Sequence, residues 1–95
     1  MILNLKADKL DVEYDSEADA VYITVKPGKV AKTQRLATSV MIDLDSKGHL
    51  LGVEIIDASL GSASQRGALR LVSKRFHMPH LQQFHPEQLP KLFVA

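Results

Sequence analysis

The amino-acid sequence predicts an α+β fold: a four- to five-stranded antiparallel β-meander followed by a C-terminal amphipathic helix and a short helical tail. Three observations predict it. Between Leu10 and Ile55 apolar side chains recur at every second position, the period of strands that bury one face. Clusters of Asp, Ser, Pro and Gly interrupt that alternation at short intervals, as turns between strands do. Beyond Asp57 the apolar spacing lengthens to three and four residues, which suits a helix. Residues 1–59 are therefore expected to form an antiparallel sheet domain, and residues 60–95 a helical C-terminal arm of the same single domain.

The first strand is expected where Leu10, Val12 and Tyr14 alternate with Asp11, Glu13 and Asp15. Asp15 opens a polar turn over Ser16–Asp19, because its short carboxylate can accept local backbone N–H groups. Ala20 to Lys26 comes next, with Val21, Ile23 and Val25 on one face and Tyr22 and Thr24 on the other; both faces suit a central strand. Pro27-Gly28 breaks it. Val30 to Leu36 is basic and weakly alternating, as an edge strand is when lysine discourages further pairing. Val40, Ile42 and Leu44 form the next strand, and Leu51, Val53 and Ile55 the last, with a turn at Asp45–Gly48 between them.

From Ser64 to Phe76, Leu69, Val72 and Phe76 share one helical face, flanked by Ala68 and Leu71. Arg66, Arg70, Lys74 and His77 line the opposite side, and Ser62 or Ser64 supplies the N-cap. Gly67 weakens the helix by about 1 kcal/mol relative to alanine. Pro79, Pro86 and Pro90 keep any later helix short, and Leu81, Phe84, Leu89, Leu92 and Phe93 are spaced to be tucked beneath another surface.

Composition narrows the chemistry. With no cysteine among 95 residues, disulfides, thiolate zinc sites and thiol nucleophiles are excluded. So small a core favours oligomerisation as a stabiliser. MILNLKADKL has no cationic region followed by a long apolar run, and no apolar stretch approaches the ~18 residues of a membrane span, so a cytoplasmic chain without a membrane partner is expected. The net charge of +1 hides an asymmetry: residues 1–59 hold seven Lys/Arg and ten Asp/Glu, net −3, and residues 60–95 hold five and one, net +4. A basic arm of that kind suits an acidic surface on its own or a sister chain, an acidic partner, or nucleic acid.

Asp43-Leu-Asp-Ser-Lys-Gly-His-Leu-Leu-Gly-Val-Glu54 has most of the skeleton of a calcium loop. Lys47 stands where an oxygen ligand belongs, Leu51 offers no side-chain oxygen, and both flanks have strand period rather than the helices such a loop needs. The stretch reads as a hairpin: Asp45 opens a type I turn and Gly48 takes the left-handed position that re-enters the partner strand through a bulge. No metal and no cofactor is expected. His77, His80 and His85 are separated by prolines and lack a zinc-like ligand set. Gly61-Ser-Ala-Ser64 is no nucleophile elbow, and the paired acids are turn and surface residues, so no catalytic residue and no enzyme is expected.

Tyr14-Asp-Ser-Glu-Ala-Asp-Ala-Val-Tyr-Ile23 and the run from Val40 to Ser59 (VMIDLDSKGHLLGVEIIDAS) resemble, in that order, the two motif blocks of a short prokaryotic domain-of-unknown-function family, YD-x-E-x-D-x-x-YI and V-x-x-DLD-x-x-G-x-x-x-G-[LIV]-E-[LIV]. The resemblance covers about Leu10 to Ser59. It implies a compact antiparallel sheet followed by a helix, packed as a dimer, and carries over no catalytic residue. Relatives of this kind resemble the sheet-forming member of two-gene toxin–antitoxin pairs. Residues 60–95 lie outside the resemblance.

The sequence thus points to a small homodimeric protein-interaction module. Leu69, Val72, Phe76, Phe84, Leu89 and Phe93 would pack the arm or a dimer interface, where buried aromatic and aliphatic anchors carry most of the energy. The rival reading is an antitoxin-like regulator, whose Arg66, Arg70, Lys74 and His77 contact a small toxin or nucleic acid.

Overall fold

The computed structural model describes residues 1–7 and 10–93, the side chains of 7, 92 and 93 excepted. Its strands are β1 (Ile2–Ala7), β2 (Leu10–Asp15), β3 (Ala20–Thr24), β4 (Lys32–Ala37), β5 (Val40–Leu44) and β6 (Leu50–Ile56). A 3₁₀ turn at Ala58–Leu60 leads to α1 (Ala63–Arg75), α2 (Pro79–Gln83) and a 3₁₀ segment over Pro86–Phe93. The class is α+β, as the periodicity requires.

Six strands form the sheet, not four or five, in the order β1-β2-β3-β6-β5-β4. The additional strand is β1. Only Leu3 and Leu5 alternate there, too short a pattern to stand out; pairing with β2, Leu3 to Tyr14 and Leu5 to Val12, makes it a strand. Nor is the sheet one meander. Two three-stranded meanders join along β3 and β6, because the connection after β3 carries the chain to the far edge. β4 takes that edge, where its exposed Lys32 and Arg35 suit an unpaired side.

Register explains the core. Val12 lies opposite Ile23, Ile23 opposite Val53, and Val53 opposite Ile42. A second row runs Tyr14, Val21, Ile55, Val40. All eight side chains are buried and belong to one cluster. Each fully buried Val or Ile contributes roughly 1.5–3 kcal/mol. The register slips between Asp43 and Leu44, so Leu50, not Leu51, joins the core row. Leu51 is instead buried beneath the turn after β3, where its carbonyl accepts from Val25 and Lys26 and its side chain lies against Gly28.

The helical layer covers this face. Ala68, Leu69 and Val72 of α1, Leu81 of α2, Phe84 and Leu89 all enter the same cluster. Leu71, expected to flank the buried stripe, is instead 52% exposed on the outer side. Ser62 caps α1, accepting the Gln65 N–H at 3.2 Å. Gln65 is itself buried and its Nε2 faces three acceptors, Ser39 Oγ, Ile56 O and Asp57 O, pinning the helix start to the sheet. α1 ends with His77 in the left-handed region (φ 57°) and the Met78 N–H on the Ser73 carbonyl, a Schellman closure with histidine where glycine is usual. Among the described residues no helix is long and apolar enough to cross a membrane.

Candidate functional site

Among the described residues the helices lie on one side, and the other face of the sheet is open. Alternation places there Asn4 and Lys6 of β1, Asp11, Glu13 and Asp15 of β2, Tyr22 and Thr24 of β3, Gly52, Glu54 and Ile56 of β6, Met41 and Asp43 of β5, and Thr33 and Arg35 of β4. Five carboxylates stand against Lys6 and Arg35, and Lys6 already contacts Asp11 at 3.7 Å. The face is acidic.

Its centre is tightly tied. The Tyr22 hydroxyl donates to Asp43 Oδ2 at 2.8 Å, and the Thr33 hydroxyl donates to Asp43 Oδ1 at 2.7 Å. To reach Asp43 the tyrosine ring lies across Gly52; a Cβ on Gly52 would run into the Tyr22 hydroxyl and ring. Burial, then the hydrogen bond to Asp43 and the nearby negative charges of Asp43 and Glu54, push the Tyr22 hydroxyl up to about 12. Tyr22 is accordingly a committed hydrogen-bond donor. A shallow concavity of about 150 Å³ beside it is lined by Glu13, Asp15, Ala20 and Glu54. A larger one, about 480 Å³, lies between Asn4, Lys6, Asp11, Glu13 and Thr24.

The two acids of the Asp43-Leu-Asp45 stretch diverge. Asp43 serves the open face. Asp45 Oδ1 accepts the backbone N–H groups of Lys47 and His49, each at 2.9 Å, and Oδ2 lies 3.1 Å from His49 Nδ1. The His49 N–H, with the Lys47 N–H and the His49 ring behind it, outweighs desolvation and holds the Asp45 carboxyl below its ordinary value. Gly48 at φ 83° and its N–H on the Asp45 carbonyl complete the turn.

Sequence reasoning missed a second tie. Asp19, at φ 51°, accepts the Tyr14 hydroxyl, the Ser59 N–H and the Ser59 hydroxyl, while its carbonyl accepts the Ala58 N–H. The turn after β2 is thereby locked to the segment after β6. Its signal was present in the sequence, in the Asp19 of the first motif block and in the Ala58-Ser59 that ends the run from Val40.

The sequence-derived residues of the arm do not form one surface. Arg66 turns inward: Nη1 reaches Glu87 Oε1 at 3.1 Å and His85 Nδ1 at 2.8 Å, and Nη2 donates to the Phe84 carbonyl at 3.0 Å. His85 Nδ1 also lies 3.0 Å from Glu87 Oε1, so the three side chains form one cluster. Arg70, Lys74 and His77 are exposed, and Arg75 lies over the Phe76 ring at 4.9 Å. Leu69, Val72, Phe84 and Leu89 are buried within the chain's own core, and Phe76 packs half-buried against it. The side chain of Phe93 lies outside the described residues.

No curated protein and no solved structure matches the chain. Residues 11–59, which run from the first acid of the open face to the Ser59 that Asp19 holds, match the family described as "Protein of unknown function (DUF2283)", and the chain belongs to that family.

Proposed function

We propose that the chain is a non-catalytic, homodimeric protein-interaction module of the cytoplasm, and that its open sheet face binds a basic segment of a partner protein. One observation carries the reading: the helices cover a single face and leave the acidic one bare, centred on the rigid Tyr22–Asp43–Thr33 network. Half-exposed Tyr22, Met41 and Ile56 lie among the carboxylates, so the face offers apolar anchoring as well as charge. Complementary charge then steers the encounter and selects against acidic partners.

A titration of the ¹⁵N-labelled chain with a lysine- and arginine-rich peptide tests this. Shifts at Glu13, Tyr22, Asp43 and Glu54 that weaken with salt, and vanish in Glu13→Lys with Glu54→Lys, support the reading. No response at that face overturns it.

A second reading, the antitoxin-like regulator acting through its arm, is favoured by Leu71, 52% exposed beside Arg70 and Lys74. An apolar side chain amid cations suits a small toxin better than phosphates. Binding of a duplex DNA probe lost in Arg70→Glu with Lys74→Glu would instead establish the nucleic-acid form.

A further inference from the structure

We infer that two copies of this chain pair along their β1 edges, antiparallel and two-fold about Asn4, to make one continuous sheet. This rests on the homodimer in the reading above. The two outer edges of the sheet differ. The β4 edge is guarded, with Lys32 and Arg35 exposed along it and a register irregularity between Arg35 and Ala37. Charges and bulges of that kind discourage edge pairing. β1 has neither proline nor bulge, is regular in register from Ile2 to Ala7, and carries only Lys6 as a charge. It also gathers Met1 and Ile2, 69% and 49% exposed.

The backbone of β1 is already set for a partner. The Ser16 N–H donates to the Met1 carbonyl at 2.9 Å. By antiparallel alternation Leu3 and Leu5 then make the bonds to β2, while Ile2, Asn4 and Lys6 turn their N–H and C=O groups to the free edge. In a second copy centred on Asn4, each outward position meets its complement. Asn4 faces the partner's Asn4, and Ile2 faces the partner's Lys6, whose methylene stem can cover it. Like charges never meet. On the core face Leu3 falls opposite the partner's Leu5, extending the apolar rows that begin at Tyr14 and Val12. Pairing through the open faces would instead oppose two sets of carboxylates.

Sedimentation equilibrium of the full chain at micromolar concentration is expected to give twice the 10.5 kDa chain mass. Ile2→Lys sets like charges opposite each other and should yield a monomer; adding Lys6→Glu should restore the dimer. A wild-type monomer overturns both the homodimer and the edge pairing. A dimer that survives Ile2→Lys overturns the edge pairing alone. Should that variant misfold, hydrogen exchange on the wild type decides. Asn4 amide protection that rises with concentration supports the pairing, and an unprotected Asn4 in a proven dimer overturns it.

Discussion

Asp19 holds Ser59 by both its backbone and its side chain: the N–H lies 3.1 Å from Oδ1 and the hydroxyl 2.6 Å from Oδ2. Tyr14 donates to the same carboxylate at 3.1 Å. The residues come from three separate places in the chain, so the bond set closes the end of the β2–β3–β6 sheet rather than stabilising a local turn. Asp19→Ala should cost about 2 kcal/mol, combining lost bonds to a charged acceptor with alanine's aversion to the left-handed region. Asp19→Asn keeps a residue that tolerates φ 51° and should cost less. A denaturant-unfolding cycle with Ser59→Ala should show the two sites coupled by about 1 kcal/mol.

Tyr22 and Gly52 form a matched pair. Gly52→Ala places a methyl group where the tyrosine ring lies, and should destabilise by about 1–3 kcal/mol through overpacking. Tyr22→Ala removes the obstacle. The double variant should therefore be less destabilised than the two single effects added together, as denaturant midpoints would report.

Most of the fold was legible because its signal is local. The alternation from Leu10 to Ile55, the Asp45–Gly48 turn and the spacing of Leu69, Val72 and Phe76 each sit within one element. The rest was not legible because it depends on long-range partners. β1 is a strand because β2 lies beside it, and β6 sits next to β3 because the connection after β3 runs to the far edge. Arg66 read as a free cation because helical periodicity says nothing of Glu87 and the Phe84 carbonyl, which only the returning chain brings to it. The open face was half legible: its acids follow from alternation, whereas the ring of Tyr22 across Gly52 needed the β3–β6 register.

Two positions in the arm are locally unfavourable and should be improvable. A Cβ on Gly67 meets no neighbour, so Gly67→Ala should stabilise by about 0.5–1 kcal/mol through helix propensity. His77→Gly relieves a left-handed histidine at the helix end and should stabilise by roughly 1 kcal/mol. Thermal or denaturant midpoints of the two variants and their combination check both values, and the sites are far enough apart for near-additivity.

The chain has two tyrosines, and both hydroxyls are raised above their ordinary value of 10.0. Burial is the leading cause in each, followed by a hydrogen bond to Asp19 for Tyr14 and to Asp43 for Tyr22. A raised folded value means that their contribution to stability is whole below pH 10 and is lost as pH climbs, for Tyr22 through about 12. Ultraviolet titration of the folded chain should show no phenolate forming with a midpoint near 10, and both tyrosines returning there in denaturant. Tyr22→Phe should remove the transition near 12.

The clasp between Arg66 and Glu87 makes the arm acid-sensitive. Burial alone would raise the Glu87 carboxyl, but its backbone N–H, His85 and Arg66 outweigh it and hold the group below 4.5. A depressed folded value contributes stability that is whole above pH 4.5 and is lost as pH falls through the lowered value. Glu87→Gln should be less stable than wild type near neutral pH, and that gap should shrink on acidification. Arg66→Ala should cost about 2 kcal/mol, because it removes the donor to the Phe84 carbonyl and one of the groups that hold Glu87. Arg70→Ala, at an exposed position on the same helix, should stay within about 0.5 kcal/mol of wild type. Equal losses in the two arginine variants would show that the clasp contributes nothing beyond helix propensity.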